Sequence, residues 1–209
     1  MIRVLNFFQD LLDALRGFDF LAPLMMRLYL APVFWAAGIN KIDFSTLRAK
    51  ESTVNWFGNP DWGLGMPFPE LMAFLAGWSE VLGGVLLLVG LATRWISIPL
   101  MVTMLVAAFT VHWKHGWQVI ADPAVCLVNC ADAHAAAERL AKAKSLLREH
   151  GNYEWLTEHG SFVVLNNGIQ FAATYFIMLA ALMFWGGGRW VSLDHWIARR
   201  WRQAPAGQR

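Results

Sequence analysis

Charged residues are scarce in this sequence, and their scarcity excludes several classes of protein. Only 15% of its 209 residues are charged and 57% are hydrophobic, whereas soluble domains usually carry about 25% charged residues. The net charge of +2, without any basic run, argues against nucleic acid as a partner. No nucleophile–base pair, Gly-rich phosphate loop or zinc-protease motif is present. The sequence therefore leaves open whether the protein is an enzyme.

The first twenty residues lack the uninterrupted apolar stretch of a secretory signal peptide. Charged residues interrupt them at Arg3, Asp10, Asp13, Arg16 and Asp19. Apolar residues recur at helical spacing between these charges, at Val4, Leu5, Phe8, Leu11, Leu12 and Leu15. This pattern predicts a short amphipathic helix on the membrane surface.

The hydrophobic residues are concentrated in four blocks, each near the 20 or so residues that a helix needs to cross a bilayer. These blocks are Leu21–Asn40, Pro69–Ala92, Trp95–Trp113 and Gly168–Gly186. We therefore predict an all-α fold: a polytopic membrane four-helix bundle that forms a single domain over residues 1–209, with the lipid bilayer as its first partner.

The longest connection, residues 114–165, is expected to lie outside the cytoplasm as an insertion between the third and fourth spans. It carries a helix of its own, because strong helix formers follow an N-cap candidate at Asp132 and end at Gly151. The opposite side has the denser Lys and Arg. The positive-inside rule thus predicts a multi-pass protein of the bacterial inner membrane, with both termini cytoplasmic.

Two charges lie in the interior of the predicted spans, Arg27 and Glu80. At 1.5 Å per residue, Arg27 lies about 10 Å and Glu80 about 14 Å from the inner ends of their helices. Isolated charges are costly at such depths, so we expect the two side chains to face each other. The pair could merely fix helix register, or Glu80 could be a carboxylate that responds to a proton or ligand.

Polar residues also gather at the predicted outer ends of the spans. They predict an outward-facing polar pocket formed by Asn40, Lys41, His112, His115, Asn166, Asn167 and Gln170. The alternative is that these side chains only cap helices and hydrogen-bond lipid headgroups.

The two cysteines, Cys126 and Cys130, are four residues apart, a spacing that brings their Cα atoms within disulfide range on a helix. In a bacterial periplasm, a structural or redox-active disulfide is the first expectation. His134 continues the spacing, so these three residues could instead bind a metal such as Cu(I) or Zn.

Three runs carry a resemblance to a known family. RLYLAPVFWAAGINK (Arg27–Lys41) and SEVLGGVLLLVGLATR (Ser79–Arg94) resemble the first two helices of the DoxX family, and GGGRWVSLD (Gly186–Asp194) is similar to its characteristic end. The long outer insertion with its cysteines and histidines resembles the HvfX branch. This resemblance implies a four-helix inner-membrane protein linked to the maturation of copper-binding ribosomal peptides.

Three functions follow as hypotheses. The first, implied by the resemblance, is an accessory in the maturation or export of copper-binding peptides or in copper stress, beside soluble maturation enzymes and with copper as a ligand. The second is a quinone-linked membrane subunit of an oxidoreductase, with quinone held near Arg27 and Glu80 and His112 as a proton path. The third is a non-catalytic membrane scaffold that recruits partners through the outer helix.

Overall fold

The computed structural model describes residues 2–125 and 131–201, which are mostly helical. The first helices are α1 (Ile2–Ala14), α2 (Leu21–Lys41), α3 (Glu51–Gly58), α4 (Pro69–Val89) and α5 (Thr93–Val106). They are followed by α6 (Ala131–His150), α7 (Tyr153–Leu156), α8 (Gln170–Trp185) and α9 (Leu193–Trp201). Two short antiparallel strands, β1 (Ile42–Asp43) and β2 (Arg48–Ala49), pair Ile42 with Ala49 and Asp43 with Arg48.

Three helical segments in the described part of the chain are long and apolar enough to cross a membrane: α2, α4 and the continuous run Thr93–His115. That run begins as α5, continues as a π-helix over Ala107–His112 and ends in a 3₁₀ turn. They correspond to the first three predicted blocks. The fourth block contains α8, which is apolar but has 16 residues, fewer than the 20 or so that a crossing needs. A fourth crossing therefore stays a prediction.

The chain divides into two compact units. The first unit comprises Met1–Thr103 and Ile177–Arg209, and the second comprises Met104–Phe176. The prediction of a single domain over 1–209 stays a prediction.

The first unit is centred on α2 and α4, which run antiparallel and bury one stripe of each helix against the other. Leu30 and Leu87 are fully buried in this unit and Phe34 is 1% exposed. Other large apolar side chains on the same helices, such as Met25 and Leu82, are about half exposed or more. Apolar residues on both the inside and the outside of a helix are typical of a helix surrounded by lipid.

The predicted amphipathic helix forms as α1. Its large apolar side chains are exposed, among them Ile2, Phe7, Phe8, Leu11 and Leu12. An apolar stripe without protein cover fits a helix that lies on a membrane surface, and that location stays a prediction.

A hairpin and α3 follow α2, a detail that the sequence did not predict. The Asp43 carboxylate accepts hydrogen bonds from the hydroxyl and backbone N–H of Ser45, at 2.7 and 2.9 Å. These bonds stabilise the charged form and hold the pKa of Asp43 below its ordinary value. The turn brings the chain back so that Ile42 is buried beside the end of α2.

In the second unit, two backbone segments pair to form what we term the neck, residues 116–121 with 164–170. Its bonds include Ala121 N to Val164 O at 3.0 Å, Asn166 N to Val119 O at 2.7 Å and Ile169 N to Gly116 O at 2.9 Å. The neck closes the excursion of residues 122–163. The helix predicted inside that excursion is confirmed as α6.

Candidate functional site

Glycines let α2 and α4 approach each other closely. A Cβ atom on Gly38 would lie 2.6 Å from the backbone nitrogen of Val81, and one on Gly84 would lie 2.9 Å from Ala31 O. No side chain fits at such distances, so these positions need glycine. Small residues at an interhelical interface are a common way to pack membrane helices, since backbones can then make direct contact.

The close approach brings the end of α2 beside the middle of α4 and forms a buried ion pair. Lys41 Nζ lies 2.5 Å from Glu80 Oε2 and also donates a hydrogen bond to Ala37 O at 3.3 Å. The Glu80 side chain is 7% exposed and the Lys41 side chain 25%. Lys41 is therefore the more accessible member of the pair.

Arg27 and Glu80 do not face each other, and the expected pair is corrected to Lys41–Glu80. The depth estimate required that α2 and α4 begin and end at the same level. Arg27 instead donates to Leu88 O at 3.4 Å, which places it beside the last turn of α4. Glu80 lies eight residues earlier, about 12 Å along the helix.

Arg27 is satisfied by backbone carbonyls. Its guanidinium donates to Gly187 O at 2.5 Å and to Val191 O at 3.0 Å, both in the segment after α8. The side chain is 1% exposed, and its Nε has no hydrogen-bond partner among the described residues. Arg27 thus ties the start of α2 to the end of α4 and to the segment 186–194.

Asp194 makes the second connection at this end of the first unit. Its carboxylate accepts hydrogen bonds from the backbone N–H groups of Ala92 and Thr93, at 2.7 and 2.8 Å. Those groups stand at the start of α5, where backbone N–H donors lack partners within the helix. Asp194 N also donates to Gly90 O at 2.9 Å. A carboxylate from α9 therefore caps α5 and compensates its dipole.

Gly90 and Gly187 are required by this arrangement. Gly90 has φ +68° and lies so close to Arg27 that a Cβ atom there would clash with the guanidinium. A Cβ atom on Gly187 would lie 2.8 Å from Thr93 Oγ1. Neither Asp194 nor Gly187 has a role that the sequence alone predicts, although the GGGRWVSLD run contains both.

Of the polar residues expected at the outer ends, some belong to the first unit and the others to the second. Asn40 and Lys41 belong to the first unit, and the structure assigns Lys41 to Glu80. In the second unit, His112 Nδ1 lies 2.8 Å from Asn167 O. Further contacts there join Asn166 Nδ2 to His115 O at 2.5 Å and Gln170 Oε1 to Val119 N at 3.3 Å. These bonds hold the neck and the end of the third apolar run.

Cys126 and Cys130 lie outside the described residues, so disulfide and metal binding there both stay predictions. His134 is described and is exposed on α6. Within residues 2–125 and 131–201, no three His, Cys, Asp or Glu side chains are grouped closely enough to hold a metal ion.

Comparison with known proteins relates the first half of the chain to one family. Residues 22–113 match the model of the DoxX family. A protein of Bacillus subtilis (strain 168) named "Putative oxidoreductase CatD" is 30% identical over 91 residues, which are 44% of this chain and 60% of that relative. The chain thus spans less than two thirds of the relative's length. No solved structure gives a significant match. Residues 22–113, which carry α2 to α5 and the Lys41–Glu80 pair, are therefore similar to the DoxX membrane family.

Proposed function

We propose that this protein is an inner-membrane subunit of a quinone-linked redox system and that Lys41 and Glu80 form its quinone-binding site. The observation that carries the proposal is the pair itself, an ammonium 2.5 Å from a carboxylate, on two helices apolar enough to span a membrane. Ionisable groups in such helices are costly and typically mark ligand or proton pathways. The relative's name, an oxidoreductase, supports redox chemistry.

The pair suits the proton side of quinone reduction. A quinone that becomes a quinol takes up two electrons, here from a partner redox protein, and two protons. Lys41 Nζ would donate a hydrogen bond to a quinone oxygen and stabilise the negative charge that develops there. Glu80, as the carboxylate, would hold the ammonium in place, while Lys41 would pass a proton to the quinone oxygen and take one back from water. The exposure of Lys41, higher than that of Glu80, gives a ligand access to the donor.

The topology that we propose has four crossings, with α8 as the fourth, the excursion outside the cytoplasm and both termini inside. The apolar composition of α8 and the density of Lys and Arg support it. Reporter fusions after residue 150 and after residue 201 test this arrangement, because the two fusions should report opposite sides of the membrane.

Quinone binding to proteoliposomes, followed by quenching of tryptophan fluorescence, tests the function. We expect Lys41→Met and Glu80→Gln to weaken binding about tenfold or more, since each removes a buried charged partner. Lys50→Met is the matched control, because the hydrogen bond that Lys50 Nζ donates among the described residues goes to a backbone carbonyl, Ile39 O, at 3.1 Å. Quinone affinity unchanged in both pair variants, with normal folding, would exclude the pair as the site.

The second candidate function is an accessory in the maturation or export of copper-binding peptides or in copper stress. What favours it is the excursion of residues 122–163, which places His134 on α6 shortly after Cys126 and Cys130 in the sequence. A thiol pair with an imidazole suits Cu(I). The excursion would receive the peptide or its soluble maturation enzymes.

Copper content and thiol state of the purified protein test this candidate. Stoichiometric copper that is lost in Cys126→Ser/Cys130→Ser and in His134→Ala would support it. His159→Ala is a control within the same excursion. An intact disulfide with no copper in the wild type would count against direct copper handling.

A further inference from the structure

A cleft in the first unit lies at the end where the segment 186–194 meets α2 and α5. Its volume is about 810 Å³, a size typical of small-molecule sites. The walls come from four places: the start of α2, the start of α5, the glycine-rich turn after α8 and the start of α9, with Pro23, Arg94, Gly188 and Arg189 among the lining residues.

Arg94 lies at this cleft and is anchored at one point. Its Nε donates to Met183 O, near the end of α8, at 2.7 Å. That bond occupies one donor of the guanidinium, and the two terminal nitrogens have no partner in the part of the chain that the structure describes. An arginine anchored in this way presents a planar pair of donors that matches a phosphate or carboxylate group.

The glycine-rich turn adds further donors. Gly186 and Gly188 have φ values of +79° and +89°, so the backbone alternates in handedness through the turn. Such backbones direct successive N–H groups to one side and form anion-binding concavities. Within residues 2–125 and 131–201, the N–H groups of Gly188 and Arg189 have no hydrogen-bond partner.

The two carboxylates at the cleft are already engaged. Asp194 accepts the two N–H groups that open α5, and Asp19 lies 3.8 Å from Arg189 Nε. Neither therefore competes for the terminal nitrogens of Arg94. The donors that remain, from Arg94, the turn and the exposed Arg189 side chain, are all suited to an anion.

Aromatic side chains locate the cleft relative to the bilayer. Trp95 and Trp185 line it and are 76% and 69% exposed. Each stands at the end of an apolar segment, where tryptophan typically marks the boundary between hydrocarbon and headgroups. A cleft at that depth is adjacent to lipid headgroups, and basic pockets between membrane helices bind anionic ones.

We propose that this cleft binds the phosphate group of an anionic phospholipid, with Arg94, Arg189 and the backbone N–H groups of the turn as donors. The site is distinct from the Lys41–Glu80 pair, which lies at the other end of α2. Bound lipid would connect α5 with the segment 186–194 through its phosphate group.

Native mass spectrometry of purified protein, delipidated and then mixed with phosphatidylglycerol or phosphatidylcholine, tests the proposal. We expect the wild type to retain phosphatidylglycerol preferentially. Arg94→Gln and Arg189→Gln should each weaken retention roughly fivefold, the effect of about one surface charge on lipid binding. Arg48→Gln is the matched control, since it removes the same charge from the hairpin beyond the opposite end of α2.

Thermal unfolding with added lipid or with inorganic phosphate separates the two sources of phosphate. Stabilisation by phosphatidylglycerol that Arg189→Gln reduces and Arg48→Gln leaves unchanged supports the proposal, and because Arg189 is exposed its replacement should not impair folding. Equal retention by wild type and both variants, or equal stabilisation by inorganic phosphate alone, would overturn it.

Discussion

Glu80 on α4 accepts a hydrogen bond from Lys41 at the end of α2, with the two charged atoms 2.5 Å apart. Arg27, fourteen residues before Lys41 on the same helix, instead binds three backbone carbonyls. The first unit therefore satisfies its charges at opposite ends of α2 by different means. One end has an ion pair whose lysine is partly exposed, and the other has a buried arginine bonded to backbone carbonyls.

Substitutions of Lys41 and Glu80 should have strongly coupled effects on the free energy of unfolding. Removing one partner of a buried pair leaves an uncompensated charge and costs about 3–5 kcal/mol. Since Lys41 is partly exposed, we expect Glu80→Leu to cost near the lower end of this range. The double variant Lys41→Met/Glu80→Leu should recover much of the loss. Unfolding measured in detergent for both single variants and the double variant gives the coupling, and additive effects would contradict the pairing.

The contact between α2 and α4 should depend on glycine. Gly84→Ala places a Cβ atom 2.8 Å from the backbone nitrogen of Trp35, and overpacking of this kind costs about 1–3 kcal/mol. Gly17→Ala provides the control, because a Cβ atom there meets nothing within 4 Å. Melting temperatures of the two variants should separate clearly. A Gly84 variant as stable as the Gly17 variant would argue against close packing.

Replacing Asp194 should reveal how much its cap stabilises the start of α5. Asp194→Ala removes the acceptor for two N–H groups, and loss of a helix cap costs about 0.5–2 kcal/mol. Asp194→Asn keeps one acceptor oxygen and should lose less. Asp10→Ala, on exposed α1, is the control for a lost carboxylate. Hydrogen exchange at Ala92 and Thr93 should rise in Asp194→Ala, and unchanged protection there would contradict the capping role.

The neck should tolerate removal of the excursion that it closes. We expect a protein in which a Gly-Asn turn replaces residues 122–163 to fold, because residues 116–121 and 164–170 pair through their own backbone groups. Circular dichroism and monodispersity in detergent check this result. A variant with Gly168→Val in the same background should fail, since a Cβ atom at Gly168 would clash with Gln118 O.

Much of the helical architecture follows from the sequence, because apolar runs and their breakers are local signals. α2, α4 and α6 form close to their predicted positions, and Gly90 and Gly151 follow α4 and α6 as helix-ending glycines do. The hairpin after α2 was not predicted, since its strands are two residues long and depend on packing beside α2 and α4 rather than on periodicity.

The partners of the charged residues could not be predicted in the same way. The sequence indicates the depth of Arg27 and Glu80 only relative to their own helices, and the offset between α2 and α4 is set by where their glycines meet. That offset moves Arg27 to the end of α4 and leaves Glu80 opposite Lys41. Asp194 was missed because the backbone groups it caps lie about a hundred residues away.

Arg27 has a consequence for the order in which the chain assembles. Two of its acceptors, Gly187 O and Val191 O, follow it by 160 and 164 residues. During synthesis α2 must therefore enter the bilayer long before these carbonyls exist, and its guanidinium must stay hydrated or near headgroups until they do. The segment 186–194 thus completes the environment of a charge that was synthesised about 160 residues earlier, so the start of α2 should remain mobile until that segment has been made.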